Sequence, residues 1–176
     1  GRQLYLGIKV GWAGDFGNDD FSRQALKQVR AEGLADALFV RHKRPYRRIT
    51  VAASYPDDRA FITYYDPDPT IPAAMKALLF AKAKYLYIPG FYAGTFLSIG
   101  SMLVRAKGMR LIMDGNSHDD VTLDKPEVRK ALQKVDILFP NTLEARRMTG
   151  EDNVSKAILA LNKYCPLVVV KEGAGG

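Results

Sequence analysis

Two polar residues, Asn141 and Glu144, directly follow an apolar run whose composition predicts a buried parallel strand. The run covers residues 135–139, and Pro140 ends it because proline cannot donate to a sheet. A strand, a tight turn and a helix start are how an open α/β sheet presents polar groups at its carboxyl edge. Such groups suit phosphoryl transfer, which needs positioned phosphates, a bound Mg²⁺ and a base for the attacking hydroxyl. The alternative is that Asn141 closes a turn and Glu144 complements the helix dipole.

Two further polar turns follow predicted strands. Asp114 comes directly after the apolar residues 110–113, and a carboxylate there could contribute charge near Mg²⁺, since hard cations prefer carboxylate oxygens. It could equally serve as a turn former before Gly115. Residues 171–176 follow the last strand and contain several glycines, so a nucleotide could approach their backbone, although a strand-end glycine loop can also be only a turn.

The composition is that of a globular protein and indicates one domain. The chain has 176 residues, of which 47% are hydrophobic and 26% charged. No apolar run is long enough to cross a bilayer and no leader opens the chain, so we expect a cytoplasmic protein without membrane contact. The single Cys165 allows no internal disulfide.

The net charge of +7 raises the alternative of a non-catalytic protein that binds anions or nucleic acid. Part of the excess lies in residues 41–48, RHKRPYRR, which could bind phosphates non-specifically. No recognised nucleic-acid motif accompanies this basic run, so a solvated loop or a substrate-facing flap is favoured and nucleic acid is an unlikely partner.

Strand and helix patterns alternate along most of the chain, which predicts an α/β fold with a largely parallel sheet and helices on both faces. Ligands bind such sheets at the carboxyl ends of the strands. The predicted elements are, in order, a strand at 8–10, a helix at 21–32, a strand at 37–40, strands at 48–55 and 59–65, a helix at 73–83, a strand at 85–88, a helix at 96–104, a strand at 110–113, a helix at 126–134, a strand at 135–139, a helix at 142–150, a helix at 153–163 and a strand at 167–170.

Helix signals sharpen two of these predictions. In the first helix Asp19 or Asp20 is the expected cap, and the inward residues are expected to be Phe21, Ala25, Leu26 and Val29.

For the helix after residue 140, Thr142 occupies the predicted N-cap and Gly150 the C-cap. Leu143 and Met148 are predicted to face inward.

The pair of strands at residues 48–65 forms a predicted hairpin, which departs from plain doubly wound topology. In its first strand Ile49, Val51 and Ala53 alternate with Thr50, Ala52 and Ser54, which predicts a half-buried strand. An edge hairpin packed on the main sheet is the alternative.

The order of these motifs resembles the PfkB/ribokinase-type carbohydrate kinases. The segment Gly14-x-x-Gly17-x-Asp19 is similar to the family's G-x-x-G-x-D-x-x-G, with Ser22 in place of the last glycine. The hairpin resembles the family's small β lid, and Asn141-x-x-Glu144 resembles its N-x-x-E region. The resemblance implies a ribokinase-like three-layer fold, mainly parallel, and an ATP-dependent phosphotransferase that acts on a sugar or nucleoside hydroxyl.

The resemblance also implies site residues and cofactors, namely ATP and Mg²⁺. It places nucleotide near Asn141, Lys171, Glu172, Gly173, Gly175 and Gly176. It implies substrate contacts from Arg48, Thr50 and Gly90, and metal contacts from Glu144 and Asp114. The expected partner is a small sugar or nucleoside, and a homodimer through the lid at about residues 46–66 is possible on this resemblance.

Two family segments have no counterpart here. The G-G-x-x-x-N segment of the sugar site should precede Gly11, and Gly176 stands where the base Asp of a G-A-G-D motif would be. We therefore expect residues 1–176 to be one incomplete domain, inactive by itself, and assign no catalytic residue.

Overall fold

The structure is a computed structural model and describes residues 7–55, 59–66, 72–116 and 120–173. The chain divides into two compact units, Gly1–Ala81 and Lys82–Gly176. Each unit has its own sheet and its own buried residues, and each is described by itself. The expectation of one incomplete domain over residues 1–176 stays a prediction.

The first unit has a small parallel sheet with two helices packed against it. Strand β1 (Gly14–Phe16) pairs in parallel with β2 (Phe39–Arg41), and helix α1 (Asp20–Ala31) connects them. The core of this unit consists of Phe16, Leu26, Val29 and Phe39, with Leu34 packed against it. The edge of the Trp12 ring packs near Phe16 and Phe39, at centroid distances of 6.2 and 6.1 Å.

The predicted strand at residues 8–10 is wrong, because these residues have no strand assignment and β1 lies six residues further on. The sequence pattern of β1 is weak, since it begins with a glycine and an aspartate, and its pairing with β2 defines it. The prediction of Leu26 and Val29 as inward residues of α1 is confirmed. Phe21 and Ala25 are exposed, which corrects that part of the prediction.

Asp19 caps α1 and ties it to the residues that follow β2. Its side chain accepts hydrogen bonds from the backbone N–H groups of Ser22 and Tyr46, each at 2.9 Å. The buried Ser22 hydroxyl in turn accepts from the N–H of Gly17 at 2.8 Å. The departure from the family glycine pattern at this position therefore adds a side-chain link between β1 and α1.

The predicted hairpin is confirmed. Strand β3 (Arg48–Ser54) pairs antiparallel with β4 (Arg59–Tyr65), from Arg48 opposite Tyr65 to Ser54 opposite Arg59. Because side chains alternate between the faces of a strand, one face carries Ile49, Val51, Ile62 and Tyr64. Val51, Ile62 and Tyr64 are more than half exposed, at 59, 73 and 51%. The prediction of a half-buried first strand is therefore wrong, since only Ile49 of β3 is partly buried. The base of the hairpin is closed by Asp66, which accepts from the Arg47 backbone N–H and guanidinium at 2.7–3.0 Å.

The second unit contains a four-stranded parallel sheet. Its strands are β5 (Tyr85–Ile88), β6 (Arg110–Asp114), β7 (Ile137–Phe139) and β8 (Leu167–Val168), adjacent in that order. The sheet is parallel because a helix follows each strand and returns the chain to the same end. Its buried side chains include Leu111, Met113, Leu138, Met148 and Leu161. These bounds confirm the predicted strands, although β7 and β8 are two residues shorter.

The helices lie where the sequence predicts them, with bounds that differ by up to three residues. They are α2 (Pro72–Phe80) in the first unit, and α3 (Thr95–Ala106), α4 (Pro126–Leu132), α5 (Thr142–Thr149) and α6 (Val154–Asn162) in the second. Among the residues described, none of these helices could reach across a membrane.

Helix α5 corrects one detail of the prediction. Asn141, rather than Thr142, is the N-cap, since its backbone is extended and its side-chain oxygen accepts a hydrogen bond from the N–H of Glu144. Gly150 ends the helix in a left-handed conformation, as predicted. Met148 is buried as predicted, whereas Leu143 is exposed.

Cys165 lies buried between α6 and β8. Its thiol donates to the carbonyl oxygens of Val135 and Leu167, at 3.6 and 3.4 Å. Burial raises the pKa of this thiol, because the thiolate would lose its water. The residue is therefore a packed component of the second unit.

Candidate active site

The carboxyl edge of the four-stranded sheet gathers polar residues that are far apart in the chain. Asp114 ends β6, Asn141 follows β7, and Lys171 follows β8. An isolated parallel bridge pairs Asn141 with Lys171, and the Lys171 N–H donates to the Pro140 carbonyl at 2.8 Å. The edge predicted from the alternation of strands and helices is therefore formed by the second unit alone.

Asp114 and Lys171 form an ion pair across this edge. The Lys171 Nζ lies 2.8 Å from Oδ1 and 3.0 Å from Oδ2 of Asp114. Because β7 lies between β6 and β8, the Lys171 side chain crosses the end of β7 to make this contact. The Asp114 side chain is 14% exposed and that of Lys171 is 45% exposed, so the lysine side chain is partly accessible while its partner is largely covered.

Two further donors fix the Asp114 carboxylate. The Tyr87 hydroxyl donates to Oδ2 at 2.5 Å, and the Asn116 backbone N–H donates to Oδ1 at 3.1 Å. Burial alone would raise the pKa of Asp114, but these hydrogen bonds and that of Lys171 outweigh it and lower the pKa. Burial, followed by the bond to Asp114 and by negative charge nearby, raises the pKa of Tyr87 to about 12. Tyr87 is therefore a hydroxyl donor at neutral pH, and Asp114 is ionised.

Glu144 and Asn141 form a capping box at the start of α5. The Asn141 Oδ1 accepts the Glu144 N–H at 2.8 Å, and the Glu144 Oε2 accepts the Asn141 N–H at 2.7 Å. This box satisfies two N–H groups that a helix start would otherwise leave without partners. Both residues therefore stabilise the start of α5, as the alternative interpretation predicts, and this capping box occupies one of the two Glu144 carboxylate oxygens.

Gly115 allows the Glu144 carboxylate to lie close to the end of β6. A Cβ atom at position 115 would lie 2.5 Å from Cα of Pro140 and 2.8 Å from Oε2 of Glu144. Both distances are shorter than any ordinary contact, so this position requires glycine. The Gly115 N–H also donates to the Phe139 carbonyl at 3.0 Å, which holds the turn against β7.

The turn after β8 is described only as far as residue 173. Glu172 and Gly173 are exposed, and Gly173 has a φ of +65°, in the left-handed region that favours glycine. Gly175 and Gly176, which were predicted to contact nucleotide, lie outside the described residues. An exposed turn at residues 171–173 is consistent with the predicted nucleotide contacts of these residues, which stay a prediction.

Gly90 follows β5 and is buried at the same end of the second unit. The N–H of the next residue, Phe91, donates to the Asn116 carbonyl at 2.9 Å, which links the turn after β5 to the turn after β6. A Cβ at Gly90 would be 3.5 Å from the Tyr92 ring, an ordinary contact.

Arg48 and Thr50 belong to the first unit and lie on one face of the hairpin. The Arg48 guanidinium donates to the Tyr46 hydroxyl at 3.0 Å and lies over the Tyr46 and Tyr65 rings. The Thr50 hydroxyl is 3.0 Å from that of Thr63, directly across the hairpin. Their predicted contacts with a substrate stay predictions.

The sheet edge offers Mg²⁺ two candidate carboxylates, those of Glu144 and Asp114. Among the described residues, no group of three or more acidic, histidine or cysteine side chains could form a protein cage for a metal. Mg²⁺ is commonly bound through one or two carboxylates, waters and substrate phosphates. Glu144 fits such a role, because Oε1 takes no part in the capping box. Asp114 fits it less well, since both of its oxygens accept from Lys171.

Sequence reasoning missed Tyr87 and the pairing of Asp114 with Lys171. The prediction for residues 85–88 is a strand and assigns Tyr87 no role, whereas Tyr85 and Tyr87 are about half exposed, at 49 and 52%. The alternation of tyrosine with Leu86 and Ile88 is the signal that could have identified a polar face. The sequence predicts a metal contact for Asp114 and a nucleotide contact for Lys171. In the structure the order of the strands brings the two side chains into one ion pair.

The chain as a whole is similar to known proteins. The sequence matches the model of the pfkB family carbohydrate kinases over residues 4–176. The fold resembles that of a PfkB protein from Polaromonas sp. JS666, with a TM-score of 0.68, 24% identity and coverage of 97% of this chain and 63% of that chain.

Two sugar kinases have the same fold at lower identity. The fructokinase from Vibrio cholerae O395, with fructose, ADP and calcium ion bound, gives a TM-score of 0.70 at 18% identity, covering 97% of this chain and 59% of that one. The ribokinase from Arabidopsis thaliana, complexed with ribose and ATP, gives 0.68 at 17%, covering 96% and 57%. The chain thus spans about three fifths of the length of these proteins.

The chain belongs to the pfkB family of carbohydrate kinases, and its fold is ribokinase-like α/β.

Proposed function

We propose that the complete protein transfers the γ-phosphate of ATP to a hydroxyl group of a sugar or nucleoside. In this reaction the acceptor oxygen forms a bond to phosphorus, the bond from phosphorus to the ADP oxygen breaks, and the hydroxyl proton passes to a base. The observation that carries the proposal is the shared sheet edge of Asn141, Glu144 and Lys171 in a chain of this family. The described residues offer no assignment for the base.

The nucleotide is proposed to bind along this edge. Lys171 would supply positive charge to a phosphate oxygen, and residues 172–176 would offer backbone N–H groups, as anion-binding turns do. Asn141 lies directly beside Lys171 through the bridge between them, which supports their common role. Glu172, Gly173, Gly175 and Gly176 keep their predicted nucleotide contacts as part of this proposal.

Mg²⁺, when bound, would neutralise the charge that develops on the phosphate oxygens. Glu144 would hold the ion or one of its waters through the oxygen that the capping box leaves available. The metal role predicted for Asp114 stays a prediction, and its contacts support a different role, argued below. Arg48, Thr50 and Gly90 are proposed to contact the acceptor.

An ADP-release assay on the complete protein, across a panel of sugars and nucleosides, tests the activity. Turnover with one or more acceptors is expected, and no turnover with any acceptor would refute the proposal. The same panel identifies the acceptor, which these residues do not determine.

The metal role of Glu144 is tested with Glu144→Gln. Glutamine keeps an oxygen that can accept the Asn141 N–H, so the fold should be retained. Activity should fall, and added Mg²⁺ should restore part of it. Glu127→Gln is the matched control, since Glu127 also lies in the first turn of a helix, α4. Identical Mg²⁺ dependence in Glu144→Gln and the parent would remove the metal role.

The alternative function, anion or nucleic-acid binding through residues 41–48, receives less support. Arg41 and Arg47 of this run face acidic side chains of the same unit, namely Asp36 at 3.6 Å and Asp66 at 2.9 Å. Part of the charge is therefore already balanced within the chain. Salt-sensitive binding of DNA or RNA would favour this alternative, and no binding at low salt would exclude it.

Three further predictions accompany this proposal: a homodimer, a cytoplasmic location and the inactivity of residues 1–176 by themselves. A homodimer through the hairpin is supported by the exposed Val51, Ile62 and Tyr64 on one of its faces. A cytoplasmic location and the inactivity of residues 1–176 by themselves stay predictions.

A further inference from the structure

We propose that Asp114 is a positioning residue that holds the Lys171 ammonium ready for nucleotide phosphates, and that Tyr87 fixes Asp114 for this purpose. This inference rests on the proposed function, since it concerns how the same edge binds its nucleotide. It assigns Tyr87 a role, and it gives Asp114 a role other than that of a metal ligand.

The contacts of Asp114 are the first argument. Its two oxygens accept from three groups, the Lys171 ammonium, the Tyr87 hydroxyl and the Asn116 N–H, at distances of 2.5–3.1 Å. A metal ion would have to displace the ammonium from one or both oxygens. The carboxylate is therefore already committed to donors of this chain.

The position of the ammonium is the second argument. Lys171 is tethered at both ends, by the bond of its N–H to Pro140 and by the bonds of its Nζ to Asp114. Between these points the side chain crosses the end of β7, where Asn141 lies. An ammonium has three donors, two of which Asp114 takes, so one N–H is available to a phosphate oxygen.

Fixing this side chain in advance favours binding. A free lysine loses rotamer freedom when it orders around a ligand, and a lysine that is already ordered avoids that loss. Full ordering of one lysine corresponds to an affinity gain of up to about tenfold. The negative charge of Asp114 is paired with the Lys171 ammonium, so we expect the gain from ordering to exceed the repulsion between this carboxylate and phosphate.

Tyr87 is the third element of this arrangement. Its hydroxyl approaches Oδ2 from β5, on the side of β6 away from Lys171. The Asn116 N–H donates to the other oxygen, Oδ1. The Asp114 carboxylate therefore has one orientation in which it accepts from Tyr87, Asn116 and Lys171 together. Loss of this hydroxyl should loosen Asp114 and, through it, Lys171.

The experiment measures ADP affinity of the complete protein by titration calorimetry, together with the KM values for ATP and for the acceptor. Lys171→Met should weaken ADP binding by about tenfold, and Asp114→Asn by about fivefold. Asparagine keeps the shape but has only one acceptor oxygen and no charge. The double variant should bind no more weakly than Lys171→Met alone, because both changes remove one positioned ammonium. KM for ATP should rise and KM for the acceptor should stay unchanged.

Tyr87→Phe removes one oxygen atom and should weaken ADP binding by about two- to threefold, in the same direction. Tyr85→Phe is its matched control, because Tyr85 lies on the same face of β5 and should not affect binding. Tyr87→Phe also carries the test if Asp114→Asn does not fold.

The outcomes separate this inference from the proposed function. Tighter ADP binding by Asp114→Asn would show that the carboxylate competes with phosphate, and unchanged binding with a lower Tm would show a structural role only; either overturns the inference. Additive effects in the double variant would overturn it as well. If Tyr87→Phe binds like Tyr85→Phe, the role of Tyr87 is overturned. If the parent binds no nucleotide, the proposed function and this inference fail together.

Discussion

Replacing Gly115 with alanine should destabilise the second unit, because the new methyl group has no space. Its Cβ would lie 2.5 Å from Cα and 2.7 Å from Cβ of Pro140, and 2.8 Å from Oε2 of Glu144. The first of these contacts is with backbone, which cannot move aside as a flexible side chain would. The third is with the oxygen that accepts the Asn141 N–H in the capping box.

The magnitude follows from three contributions. Overpacking of this kind costs about 1–3 kcal/mol. Disturbance of the capping box adds a cost of up to about 1 kcal/mol. Replacing glycine also restricts the unfolded chain, which offsets about 0.4–1 kcal/mol. Mid-range values of these contributions give an expected net loss of about 2 kcal/mol of unfolding free energy.

Urea denaturation of the complete protein measures this loss as a lower midpoint with an unchanged slope. Gly90→Ala is the matched control, since its Cβ would meet atoms no closer than 3.5 Å. We expect that variant to lie within about 0.5 kcal/mol of the parent or to be slightly more stable. Equal stability of Gly115→Ala and Gly90→Ala would refute the reasoning, because it would mean that β6 and β7 separate at no cost.

Three other perturbations are predicted. Hydrogen bonds from the Arg47 guanidinium, and next from its backbone N–H, hold the pKa of Asp66 well below its usual value. The stability that they contribute is therefore present above about pH 4 and is lost as the pH falls further. The free energy of unfolding, measured from about pH 5 to about pH 3, should depend less on pH in Asp66→Asn than in the parent, and equal slopes would contradict this. Asn141→Ala should cost about 1 kcal/mol of stability, measured by denaturation, whereas Asn141→Asp keeps a capping oxygen and should cost little. Ile62→Asp should shift a hairpin-mediated dimer toward monomer in sedimentation, and an unchanged oligomer would place any dimer contact elsewhere.

The types and order of most elements could be predicted because hydrophobic periodicity follows the burial of each element. In α1 the buried stripe is Ser22, Leu26 and Val29, spaced by four and three residues. Phe21 lies one position before this stripe and is exposed, so its hydrophobicity alone was misleading. Leu143 fails in the same way, since the buried face of α5 is set by Ala145 and Met148.

The candidate site could be predicted in outline and not in its contacts. Parallel strands bring their carboxyl ends to one edge, so the grouping of Asp114, Asn141 and Lys171 followed from the pattern. Their pairing depends on strand order, which local patterns do not contain. Asp114 and Lys171 are separated by 57 positions, and they meet because β7 inserts between β6 and β8. The role of Tyr87 depends on the same register.

The buried thiol of Cys165 can be used as a chemical probe of local unfolding around α6 and β8. It is the only cysteine in the sequence, is 1% exposed and is held by two carbonyl groups between α6 and β8. A thiol-reactive reagent can modify it only when this segment separates from the sheet. The rate of labelling therefore measures the free energy of that opening, and its dependence on ADP would show whether nucleotide at the sheet edge slows the motion of β8.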